Sequence, residues 1–124
     1  MARANRRYKK PHYDIGRVHS AANTRDIVVT GKASHEALSA LPTDIVDIDL
    51  EIQTILRSLV RDEFMFSEKR TRTIAGSKVI SWVDVYRIDF EGLDLWLKLK
   101  VEQDSCGDYV LVISFHNWDE TRSI

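Results

Sequence analysis

Cysteine is all but missing from this chain: Cys106 is the single one among 124 residues, so no internal disulfide can form. Neither it nor the four histidines fall at a spacing that resembles a metal site, and neither a metal nor another cofactor is expected. A lone cysteine in a turn fits a reducing interior, so the expected location is the cytoplasm. Long apolar runs are missing too. No stretch approaches a membrane span and none has the apolar core of a signal peptide, so no membrane partner is expected. The third absence is an excess of one charge, since 18 basic residues meet 19 acidic ones for a net of −1. That balance hides a division. Residues 1–10 carry Arg3, Arg6, Arg7, Lys9 and Lys10 without an acid, so the other 114 residues hold 13 basic and 19 acidic groups, a net of −6. Such a domain is no generic polyanion binder, and contact with nucleic acid must come from a local cationic patch helped by the arm. Residues 1–12 are expected to form a flexible basic arm, followed by a single domain over residues 13–124 that is long enough to bury a core without staples.

What the chain does have is alternation. From Val79 to Asn117 apolar and polar residues take turns through three runs, VISWVDVYRIDF, LDLWLKLKVEQ and YVLVISFHN, the period of β-strands. In the middle run Leu93, Leu95, Leu97, Leu99 and Val101 share one face, while Asp94, Trp96, Lys98, Lys100 and Glu102 share the other. Glu91-Gly92 reads as a two-residue hairpin turn whose glycine supplies the positive φ. It sets Phe90 opposite Leu93, and therefore Arg87 opposite Trp96, Val85 opposite Lys98 and Val83 opposite Lys100. A second hairpin turns within Asp104–Asp108. Strict alternation then sends Tyr109, Leu111, Ile113 and Phe115 to the leucine face, and Val110, Val112, Ser114 and His116 to the lysine face. One surface thus gathers Arg87, Trp96, Lys98, Ser114 and His116. An imidazole, cations and an indole on one face suit phosphodiester chemistry, although a plain solvated sheet face shows the same pattern.

Upstream, Ile15, Val18, His19 and Ala22 keep helical spacing behind Asp14, a natural N-cap, with His19 as a packing residue. Asp26–Thr30 is a short edge strand stopped by Gly31. Ala33–Ala40 forms a second helix that Pro42 ends, with His35 exposed in its first turn. Ile48, Ile52, Ile55, Leu56 and Leu59 mark the main packing helix, capped by Asp47 or Asp49, and its leading acids read as caps rather than metal ligands. Phe64–Ile74 is the first strand of the sheet, basic in its distal half, and Ala75-Gly76-Ser77 turns it into the next. The expected class is α+β: an antiparallel sheet ending in a C-terminal meander, packed on N-terminal helices.

The strings KPHYDIGRV, SWVDVYR, LDLWLKLKV and YVLVISF, in this order and spacing, resemble the MqsR family of type II toxins, named for motility and quorum-sensing regulation. The resemblance runs from about residue 11 to residue 118. It implies a RelE-like toxin fold and a metal-independent mRNA endoribonuclease that inhibits translation and growth and is held inactive by a cognate antitoxin. The expected partners are that antitoxin and the mRNA substrate. Residue by residue the site differs from the family pattern. Val83 stands where the family carries a glutamine, Trp96 where it carries a tyrosine, His116 at its final lysine and Phe66 at a further lysine whose place Lys69 is expected to take. Asp84, Val85, Tyr86, Arg87, Leu97 and Lys98 match.

These readings assign His116, Arg87 and Lys98 as catalytic. His116 would exchange protons near neutral pH while Arg87 and Lys98 hold the phosphate. Trp96, Lys69 and Lys100 are assigned to RNA binding, with Trp96 as a partly exposed platform on which a base stacks. A non-catalytic or diverged interaction domain that keeps the toxin fold and binds a protein or RNA is the alternative.

Overall fold

The computed structural model describes residues 4–42, 44, 45 and 47–117. The last residues of the expected domain, 118–124, lie outside this set. Ten elements follow one another: β1 (Ala4–Tyr8), α1 (Ile15–Asn23), β2 (Ile27–Val29), α2 (Gly31–Ala40), α3 (Ile48–Ser58), a 3-10 turn (Arg61–Glu63), β3 (Phe64–Ile74), β4 (Ser77–Phe90), β5 (Leu93–Asp104) and β6 (Gly107–Asn117). The strands make one sheet in the order β1-β3-β4-β5-β6-β2, antiparallel except for the β2–β6 pair. The fold is α+β, as the alternation and the helical spacing foretold.

Local chemistry explains where the helices begin. Asp14 accepts the Gly16 N–H and starts α1, Thr30 accepts the Ala33 N–H and starts α2, and Asp47 rather than Asp49 accepts the Leu50 N–H and starts α3. α1 and α3 pack together on one face of the sheet, while α2 lies along β6, its Glu36 accepting the Phe115 N–H. Val18, Ile52, Ile55, Leu56 and Leu59 join Tyr86, Leu95, Leu97, Leu99, Val112 and Phe115 in a continuous core. His19 packs as expected, its Nε2 lying 2.7 Å from the Leu59 carbonyl.

The β4–β5 hairpin has the register that the turn implied: Phe90 opposes Leu93, Arg87 opposes Trp96 and Val85 opposes Lys98. Glu91 and Gly92 both have positive φ, 52° and 84°, the signature of the turn that matches strand twist. β6 departs from strict alternation. Lys98 pairs with Ser114 but Leu99 pairs with Val112, so Ile113 is an extra residue in a β-bulge. Ser114, His116 and Phe115 therefore keep their expected faces. Before the bulge the faces are exchanged: Val110 and Val112 enter the core and Tyr109 and Leu111 turn to the open side.

The basic arm, expected to be flexible, contributes an edge strand. β1 pairs antiparallel with β3 from Ala4 opposite Thr71 to Tyr8 opposite Ser67. The loop that follows is held at Asp84, a fully buried carboxylate whose oxygens accept the His12 and Tyr13 N–H groups at 3.0 and 2.9 Å. Two charge-assisted bonds satisfy an acid that burial would otherwise penalise, and they fasten the N-terminal segment to the sheet.

Candidate active site

The sheet face turned away from α1 and α3 is built from alternate residues of five strands. Cross-strand pairing lines up Phe66, Val85, Lys98 and Ser114 in one row, and Arg87, Trp96 and His116 in the next. Glu68 and Val83 follow on the other side, with Arg7 of β1 beside Glu68. Of the residues singled out in the sequence, His116, Arg87, Lys98, Trp96 and Lys100 come together here.

Lys69 does not. It pairs with Trp82 and Arg6, and its ammonium lies 5.7 Å from the Trp82 ring on the opposite face. The reason is a second bulge, at Met65, where Phe64 opposes Tyr86 but Phe66 opposes Val85. It sets Phe66, Glu68 and Arg70 on the open face and Ser67, Lys69 and Thr71 on the other. Arg70 is thus the cation of β3 that reaches the site, ion-paired to Glu68.

His116 is held by a helix. Its Nδ1 is 2.7 Å from Glu36 Oε2 on α2, and Glu36 Oε1 accepts the Phe115 N–H at 3.1 Å. A carboxylate fixed by backbone fixes the ring in turn: Nδ1–H donates to Glu36, which leaves Nε2 to act as an acceptor. One turn earlier on α2, Lys32 Nζ lies 3.2 Å from Ser114 Oγ. Neither Lys32 nor Glu36 was singled out from the sequence, though their i, i+4 spacing puts them on one helix face.

Lys98 sits between Val85 and Ser114, both buried. Burial lowers its pKa; Glu68 opposes that effect, and Arg70, Lys32 and Arg7 add to it. The ammonium is thus a readier proton donor than an ordinary lysine, surrounded by more positive than negative charge. Lys100 is ion-paired to Glu102 at 3.2 Å.

Two assigned residues are more engaged than expected. Arg87 forms a two-pronged pair with Asp94, Nε to Oδ1 at 3.0 Å and Nη2 to Oδ2 at 2.7 Å. Trp96 lies on the expected face, yet it is only 8% exposed, with Phe66 edge-on at 5.9 Å between ring centres. It is a floor of the site more than an open platform. No group of three histidine, cysteine or acidic side chains that could hold a metal ion occurs among the described residues.

A family model described as "Motility quorum-sensing regulator, toxin of MqsA" matches residues 10–117. The chain belongs to that family. Membership makes it the toxin of a toxin–antitoxin system and implies an antitoxin partner. No curated protein matches the chain. Among the described residues no helix is long and apolar enough to cross a membrane. The match covers α1 to β6 and therefore every element of the site except β1, which precedes it.

Proposed function

We propose that this MqsR-family toxin acts in the cytoplasm as an mRNA endoribonuclease, cutting by side-chain acid and base chemistry on the open face of its sheet. The observation that carries this reading is the Glu36–His116 pair set beside Lys98, Ser114 and Lys32. His116 Nε2 takes the proton of a ribose 2′-hydroxyl as its oxygen attacks phosphorus. The phosphorus–O5′ bond breaks, and the Lys98 ammonium gives its proton to the leaving O5′. The products are a 2′,3′-cyclic phosphate and a free 5′-hydroxyl. Lys32, Lys98 and Arg70 supply positive charge to the crowded phosphorane, in a site that the buried Val83, Val85 and Trp96 keep partly dry.

Expression of the wild type should arrest growth, and the purified toxin should cut RNA to cyclic-phosphate ends in the presence of a chelator. His116→Ala and Glu36→Gln should both lose most of that activity. Full cleavage by both variants would remove the assigned base. A second reading, a diverged interaction domain without nuclease activity, draws support from the Arg87–Asp94 pair and the burial of Trp96. A wild type that binds its antitoxin yet cuts no RNA would favour it.

A further inference from the structure

We infer that β1 belongs to the substrate site, and that Arg7 on this strand binds an RNA phosphate flanking the one that is cut. The inference rests on the nuclease reading above and adds to it a residue that lies outside the family match, which begins at residue 10.

Alternation along β1 separates its two central arginines. Arg7 opposes Glu68 on the open face, and Arg6 opposes Lys69 on the other. Arg7 Cζ lies 4.2 Å from the centre of the Phe66 ring, and Phe66 in turn meets Trp96. Stacking on an aromatic ring orients a guanidinium while leaving its N–H groups to bond elsewhere. The cross-strand partner of Arg7, Glu68, is taken by Arg70. Among the described residues Arg7 has no ion pair.

Arg7 also adds to a local imbalance. Around Lys98 stand Arg7, Lys32 and Arg70, with Glu68 among them held by Arg70 and Glu36 held by His116. Like charges held together raise the energy of the folded chain, and a bound polyanion offsets that. Phe66 lies three strands from Ser114 and β6, roughly 14 Å across the sheet at the usual strand spacing. That is further than one nucleotide step from His116, so a phosphate at Arg7 flanks the scissile one. Arg7 is accordingly a binding residue, and its contact is made equally in the ground state and the transition state.

The test compares Arg7→Gln with Arg6→Gln, two variants that lose the same charge from the same strand on opposite faces. Binding of a fluorescein-labelled, 2′-O-methylated octaribonucleotide, which cannot be cut, should weaken roughly three- to tenfold for Arg7→Gln. The slope of log affinity against log salt should fall by about 0.7, the share of one phosphate contact on a single strand. Arg6→Gln should bind like the wild type. In cleavage assays Arg7→Gln should raise KM for an octanucleotide, leave kcat unchanged, and behave like the wild type on a dinucleotide. Equal weakening by both variants would reduce Arg7 to general charge and overturn the inference, as would wild-type binding by Arg7→Gln or no binding by the wild type. A wild type that binds the octamer but cuts nothing would overturn the nuclease reading alone, because the Arg7 comparison is still read from binding. Loss of β1 pairing as the cause is checked by Arg7→Lys, which should keep the salt slope of the wild type.

Discussion

The two faces of the sheet are made by the same strands, yet they obey different rules. On the helix face Leu95, Leu97, Leu99, Val112 and Phe115 are each fully buried and joined in one apolar core. On the other face Glu68, Trp96 and Ser114 are buried among Lys98, Arg70, Arg87 and His116, and nearly every polar group is tied to a partner: Glu36 to His116, Lys32 to Ser114, Arg70 to Glu68, Arg87 to Asp94. The first face gains stability from area removed from water. The second holds charges in place at some cost to stability, a arrangement that makes sense where pre-set charge is used on a ligand. Mutation should therefore split stability from activity along the plane of the sheet.

The largest split should come from His116→Ala. Removal of the proposed general base should lower RNA cleavage by about 10²–10⁴-fold, while the midpoint of urea unfolding stays near that of the wild type. A variant that unfolds but cuts normally when folded would invert the comparison. Leu97→Ala, on the neighbouring strand opposite Phe115 and on the other face of the sheet, should do the reverse. It deletes methyl and methylene groups at a fully buried position and should cost about 2–5 kcal/mol in denaturant unfolding, with kcat intact in the fraction that remains folded. Asp84→Asn sharpens the comparison in the middle of the sheet. Its carboxylate holds the His12 and Tyr13 N–H groups on the helix side, so the amide should cost about 1–3 kcal/mol and speed amide exchange at those two residues. Unchanged exchange there would mean that the N-terminal loop is held by other contacts.

How much of this was legible depended on whether local pattern or tertiary packing decides the residue concerned. The leucine face, the hairpin register and the cap at Asp14 are local, since turn length and alternation leave a strand few choices. The bulges at Met65 and Ile113 are not written in that pattern. Each adds one residue and exchanges the faces on one side of it, which is why Tyr109 and Leu111 lie open and Lys69 points away from the site. Ser114 and His116 lie past the bulge, in the stretch where pairing with Lys98 and Trp96 puts them on the open face. Glu36 and Lys32 reach the site through the way α2 lies along β6, a packing geometry that no spacing within the helix specifies. β1 was hidden for another reason. A run of arginines and lysines has the composition of a solvated tail, and only the exposed edge of β3 makes it a strand.

The smallest expected effect concerns Lys98 and is read from the pH dependence of stability. Its pKa in the folded chain is lowered by burial first of all, with Arg70, Lys32 and Arg7 adding to the shift against Glu68. A lysine with a depressed pKa gives up its proton in the folded state before the unfolded chain does. Between the depressed value and the ordinary lysine range the unfolded chain binds more protons, so the contribution of Lys98 to stability rises with pH. Tyr13 and Tyr86 act in the opposite sense. Burial pushes both up to about 12, so above the ordinary tyrosine range, near pH 10, their ionisation in the unfolded chain lowers stability. The Lys98 effect is therefore cleanest on the neutral-to-alkaline side of that limit and as a difference between wild type and Lys98→Met. The methionine variant should be the more stable at pH 7, and its advantage should shrink as pH rises toward 10, when followed by urea unfolding at each pH. A constant difference would show that Lys98 ionises as it does in water, and the open face would then lose the proton donor that separates it from an ordinary charged surface.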